Sequence, residues 1–200
     1  SDNMTIRSDR LNADLTLLAD TSTGIYTGAV DGRLDNYRIE SVGIFDLSTD
    51  IDLMTEPNGD YALAGRVGVR SQRIDNESLA DFLGGQAVAG ADIRYGGDGT
   101  LRFRNLRLEA PSARITGGYG SYSPDGQIAL NADAVTDAYG AVGVRVAGTV
   151  SNPDARITAE RPGLGIGLAN LNARVTGARG GYRLVADGDT DYGPLTADVV

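Results

Sequence analysis

The sequence predicts an all-β chain built on a long, antiparallel-rich sheet, with one short helix near residues 76–84. Three observations carry this. Apolar and polar residues alternate at period two in several runs. Glycine numbers 28 of 200 residues, about twice its usual share, and falls between those runs. Only one stretch combines helical spacing with caps at both ends.

Strand-like alternation begins soon after Ser1-Asp-Asn-Met4. Farther on, Tyr61, Leu63, Gly65, Val67 and Val69 share one face, opposite Ala62, Ala64, Arg66 and Arg70. Asn76 can cap a helix, Leu79, Phe82 and Leu83 share one side of it, and Gly84 or Gly85 can end it. That helix reads as a plug over an edge or end of the sheet; a gate or partner contact is the alternative. Leu101 and Phe103 occupy odd positions, whereas Leu106 and Leu108 are even. Keeping all four on one face requires a β-bulge or sharp bend near Asn105; two short strands joined by a tight turn would also serve.

Ile128, Leu130, Ala132 and Ala134 then oppose Gln127, Asn131 and Asp133. Val142, Val144, Val146, Gly148 and Val150 oppose Arg145 and Thr149, and Leu171, Ala173 and Val175 oppose Asn172, Arg174 and Thr176. Turn signals stand at Ser22-Thr-Gly24, Pro57-Asn-Gly-Asp60, Gly96-Gly-Asp-Gly99, Gly117-Gly118, Pro124-Asp-Gly126, Asn152-Pro-Asp154, Arg161-Pro-Gly163, Gly180-Gly181 and Asp187-Gly-Asp189. The final run, Leu195 to Val200, reads as a strand still in progress. Residues 1–200 are therefore expected to be a single β-rich segment of a larger protein. No strict repeat of solenoid period is visible, which favours a long antiparallel sheet over a regular parallel β-helix.

Composition narrows function. Cysteine, histidine, tryptophan and lysine are absent, and all 18 basic residues are arginine. That removes disulfides, histidine or cysteine metal sites, histidine-assisted nucleophiles and lysine Schiff bases. Neither catalytic residues nor a cofactor is expected. Net charge is −9, the wrong sign for neutralising phosphates, so no nucleic-acid partner is expected. Arginine recurs on the polar faces, at Arg66, Arg70, Arg102, Arg104, Arg145, Arg174 and Arg183, as a solvated exterior. Asp187-Gly-Asp-Thr-Asp191 spaces its acids like half a calcium loop. It lacks the following glycine and the distal glutamate, so it reads as a polar turn. Gly163, Gly165 and Gly167 alternate with Leu164, Ile166 and Leu168. This is read as a strand whose glycine face admits a close backbone or ligand, or a strong bend.

The apolar face remains. It must be covered by a sandwich partner, a barrel or a trough. Its larger inward residues are Tyr61, Tyr95, Phe103, Tyr119 and Tyr182. Many of the others are small: Gly65, Ala132, Ala134, Gly148, Ala173 and Ala186. Small residues fill a sandwich core poorly, whereas a trough for acyl chains tolerates them.

The stretch Gly148-Thr-Val-Ser-Asn-Pro-Asp-Ala-Arg-Ile-Thr-Ala159 leads into Leu164-Gly-Ile-Gly-Leu-Ala-Asn-Leu-Asn-Ala-Arg-Val175 and then Gly180-Gly-Tyr-Arg-Leu184. This cadence resembles the AsmA-like family that contains the TamB bridge proteins, over about residues 145 to 186. The resemblance implies a curled sheet forming a taco-like trough or open β-solenoid. It also implies a periplasmic location within an inner-membrane-anchored protein of a Gram-negative bacterium. The expected role is passage of phospholipid between inner and outer membrane, assistance to outer-membrane protein assembly, or both. The partners implied are phospholipid, an outer-membrane Omp85-type barrel of the TamA kind and client outer-membrane proteins. The family offers no catalytic residues to carry over. The groove lining expected here is Leu63, Val67, Val69, Leu101, Phe103, Ile128, Leu130, Val142, Val144, Val146, Leu171, Val175 and Leu184. The alternative is a structural β-sandwich or β-solenoid module of an adhesin or autotransporter passenger, with a dry core.

Overall fold

The structure, a computed structural model, describes residues 10–20, 22, 25–56, 58–163, 165–178 and 181–199. The chain is all-β: the described residues form thirteen antiparallel strands and one short helix. The strands are β1 (Arg10–Asp20), β2 (Ile25–Ile39), β3 (Gly43–Thr55), β4 (Tyr61–Ile74), β5 (Val88–Tyr95), β6 (Leu101–Glu109) and β7 (Ala113–Tyr122). They continue with β8 (Ile128–Thr136), β9 (Gly140–Thr149), β10 (Asn152–Ala159), β11 (Ala169–Ala178), β12 (Gly181–Thr190) and β13 (Gly193–Val199). Helix α1 (Glu77–Leu83) lies between β4 and β5. Each strand pairs with its neighbours in sequence, so the whole sheet is one meander.

The sheet is open and uncurled, so the taco-like curl is not part of this structure. Curling needs inward side chains that meet across a concave side. Here the extensive packing of each strand is with its sequence neighbours. The alanines, glycines and valines of the apolar face fill the spaces between adjacent strands without reaching a facing wall.

Helix α1 forms where its caps dictate. The Asn76 side chain accepts a hydrogen bond from the Leu79 N–H at 2.9 Å, and Gly84 closes the C-terminus at φ 72°. Leu83 packs with Ala87 and Ala113, flanked by Ile74, Leu79, Leu108 and Ala110. Phe82 stacks on Tyr139 in the β8–β9 turn at 6.0 Å between ring centroids. The helix thus covers one end of the sheet, as the plug reading expects.

Among the described residues four that are not glycine, three asparagines and Ser41, have positive φ. Three of them, Asn36, Asn105 and Asn170, lie inside strands at register shifts. Asparagine tolerates this left-handed backbone better than other non-glycine residues. Each is tied to an aspartate on an adjacent strand. The Asn36 N–H donates to Asp46 Oδ1 at 3.1 Å. Asn105 Nδ2 donates to Asp92 Oδ2 at 2.5 Å, and Asn170 Nδ2 donates to Asp189 Oδ2 at 2.9 Å. The bulge at Asn105 is the one expected from the phase break.

Several turn expectations differ. Gly117-Gly118 lies inside β7 beside a register shift, not in a turn. Asp187-Gly-Asp189 lies inside β12, and the turn follows at Asp191-Tyr192. Asn152-Pro-Asp154 opens β10, with the reversal at Val150-Ser151, so Val150 leaves the face assigned to it. Gly163, Gly165 and Gly167 form no strand. All three have positive φ, between 65° and 74°, in the β10–β11 loop. Thr23, Gly24, Pro57, Leu164, Gly180, Val200 and the opening Ser1-Asp-Asn-Met4 lie outside the described residues.

Candidate functional site

Residues paired directly across antiparallel strands share a face, so the registers define both faces of the sheet. One transverse row takes a residue from every strand: Leu15–Val30–Ile51–Gly65–Ile93–Phe103, continuing Gly120–Leu130–Val146–Ala155–Val175–Leu184–Val199. Every member is aliphatic, aromatic or glycine. With strands about 4.8 Å apart, the row runs roughly 58 Å. A second row, Leu34–Leu47–Val69–Ala89–Leu108–Ile115–Ala134–Val142–Ala159–Leu171, crosses ten strands on the same face.

All thirteen residues of the expected lining fall on this face. Phe103, Leu130, Val146, Val175 and Leu184 lie in the first row, and Val69, Val142 and Leu171 in the second. Leu63 and Leu101 flank Tyr95, Ile128 pairs Tyr122, Val67 pairs Ala91, and Val144 pairs Ala132 and Ile157. Tyr61, Tyr95 and Tyr182 join them. Tyr119 does not: the register shift at Thr116 puts it on the polar face, where its hydroxyl accepts from Asn131 Nδ2 at 2.9 Å.

This face is largely uncovered. Among the described residues the buried hydrophobics are Leu83, Leu168 and seven alanines. Leu15 remains 74% exposed, and Leu63, Leu101 and Leu184 each 37%. The accessible surface is 12997 Å², against about 9,000 Å² expected for a compact 200-residue monomer. The difference is the signature of an apolar face without a second layer. Helix α1 covers one end of it only.

The opposite face is a lattice of cross-strand ion pairs. Arg66 meets Asp50 at 2.8 Å, Arg145 meets Asp133 at 2.9 Å, Arg174 meets Asp154 at 2.6 Å and Arg183 meets Asp198 at 2.5 Å. All seven arginines expected there lie on it. Hydrogen bonds from Arg174 and Arg183 hold the Asp154 and Asp198 carboxyls below their ordinary range. Asp187 and Asp189, two of the three acids of the calcium-like run, accept amide hydrogen bonds from Asn172 and Asn170. Among the described residues no three acidic side chains converge as a metal site would need.

Sequence reasoning missed the bulges at Asn36 and Asn170. Their signal was present: Leu34-Asp-Asn-Tyr-Arg-Ile39, Phe103-Arg-Asn-Leu-Arg-Leu108 and Leu168-Ala-Asn-Leu-Asn-Ala173 share an asparagine between apolar residues three apart. Comparison with protein-family models, curated proteins and solved structures finds no match to this chain.

Proposed function

We propose that this chain is a segment of a periplasmic bridge, anchored at the inner membrane, that passes phospholipid acyl chains toward the outer membrane along its apolar face. The observation that carries the reading is the unbroken thirteen-residue row. The AsmA-like cadence of residues 145 to 186 supports the same assignment, and with it an Omp85-type barrel partner and a part in outer-membrane protein assembly.

The mechanism is passive. A fully buried methylene contributes about 0.8 kcal/mol. An open sheet covers one side of a chain, so about half of that, roughly 0.4 kcal/mol per methylene, is retained. Such contact holds a chain without trapping it. No charged residue interrupts either row, so a chain sliding along the sheet meets no site where it must desolvate an ion. Nothing in this scheme calls for a reacting group.

The test uses adjacent positions with opposite facing. Leu130 lies in the first row, whereas Ala129 pairs Ser121 on the polar face. Leu130→Asp is expected to remove most lipid from detergent-free protein, measured by organic extraction and mass spectrometry against a soluble β-protein control. Ala129→Asp is expected to retain it, with circular dichroism confirming that both variants fold. Equal retention in the two variants, or no lipid above the control in the wild type, refutes the proposal. The latter result returns the chain to the dry structural module.

A further inference from the structure

The apolar face has two unlike margins. Tyr61 opens β4, Tyr95 closes β5, Tyr122 closes β7 and Tyr182 stands second in β12, so the antiparallel meander brings all four to the same margin. Tyr95 lies between Leu63 and Leu101, and Tyr122 between Leu101 and Ile128. Each of the four is between 47% and 57% exposed. The Tyr95 hydroxyl reaches out to the β5–β6 turn, where a Cβ on Gly99 would lie 3.8 Å from it. At the opposite margin, side chains close over the face in two places. Leu83 of α1 packs on Ala87 and Ala113. Leu168, in the β10–β11 loop, lies against Gly188, whose Cβ would meet it at 3.0 Å. These two leucines are the large hydrophobic side chains that are buried among the described residues. Tyr37 also stands toward this margin, but it pairs with Phe45 and is less exposed than the other four.

We infer that phospholipid lies on this face in one orientation, its acyl chains along the strands, its headgroup at the tyrosine margin and its methyl ends toward Leu83 and Leu168. The inference rests on the acyl-chain reading and adds a direction to it. Tyrosine suits the boundary between apolar and wet surroundings, because its ring is apolar and its hydroxyl is polar. Leucines closed over the face offer a polar headgroup no partner and suit a chain end. The height fits as well. From Ile128, beside Tyr122, to Ala134, beside Ile115, β8 advances six residues, about 20 Å. One leaflet's share of a bilayer's hydrocarbon core is about 15 Å, so an acyl chain fits between the margins. Chains lying along the strands move sideways from strand to strand, and their headgroups track the tyrosine margin in water.

The chain has no tryptophan, so a single introduced one reports its own position. Tyr122→Trp places it at the tyrosine margin, and Val142→Trp in the second row, toward the closed margin. Leu171→Trp, in the same row, is a second reporter there should Val142→Trp not fold by circular dichroism. Val135→Trp, on the polar face opposite Arg114, is the control. Each variant of the intact chain is loaded with phosphatidylcholine carrying a nitroxide quencher either on the headgroup or at the acyl terminus. Tyr122→Trp is expected to lose more fluorescence to the headgroup nitroxide, Val142→Trp or Leu171→Trp more to the terminal one, and Val135→Trp little to either. The reverse order at the two margins overturns the inference. Equal quenching of both margins by both probes also overturns it, by showing chains without a fixed direction, and leaves the acyl-chain reading standing. Quenching on the apolar face no greater than in the Val135→Trp control removes both.

Discussion

Asn105 decides on which face half of β6 presents its leucines, and its cost of replacement can be worked out. Its φ is 53°, a backbone that costs an ordinary L-residue about 1–2 kcal/mol. Its side chain donates to Asp92, an exposed bond worth about 1 kcal/mol. Asn105→Gly keeps the backbone freedom and loses only the side-chain bond, so it is expected to cost about 1 kcal/mol. Asn105→Val loses both and adds a β-branch, for a cost of about 2–3 kcal/mol. Urea unfolding followed by circular dichroism reads the difference as a lower midpoint for valine than for glycine, at similar slope. A glycine variant as destabilised as the valine variant would refute the argument, because the backbone would then carry no part of the effect.

Two further expectations follow from the structure. Asn76→Ala removes the side-chain acceptor at the start of α1 and is expected to cost about 1 kcal/mol; amide exchange should speed first in Glu77–Leu83, and unchanged exchange would reject the cap. Asp46, Asp75, Asp154 and Asp198 have carboxyls held below the ordinary value of 3.8, the first chiefly by the Asn36 N–H and the others chiefly by arginine hydrogen bonds. Groups depressed in the folded state stabilise it above their unfolded pKa. That contribution is expected to decline as pH falls below 3.8 through the lower folded values; stability unchanged across that window would show that these pairs contribute nothing.

How far the fold was legible depends on where period two held. The runs through Val67, Leu130, Val144 and Val175 each keep one parity, so their common facing could be read directly. Asn105 was legible because leucines of opposite parity flank it closely. Asn36 and Asn170 carry the same signal, but aspartate, tyrosine and a second asparagine beside them blur the contrast. Tyr119 was misplaced because the phase changes at Thr116, next to a glycine pair that mimics a turn. Asp187-Gly-Asp189 misled for a related reason: turn-forming residues serve equally well on a solvated strand face. The absence of curl was illegible, because curling depends on what the apolar face meets and no local pattern records that.

The bulges link these local signals to the face as a whole. The first apolar row passes through Phe103 and the second through Leu108, on either side of Asn105. Without the extra residue, strict alternation would bring Arg107 to the apolar face and turn Leu108 to the arginines. The same logic holds at Asn36, which keeps Leu34 and Tyr37 together against Leu47 and Phe45. At Asn170 the shift leaves Leu171 and Ala173 beside Ala159 and Ile157. An arginine in either row would put a charge in the middle of the apolar face, and one such residue suffices to interrupt the row. The asparagines therefore do more than relieve strain within a hairpin: they carry the apolar face through changes of phase that would otherwise break it into patches.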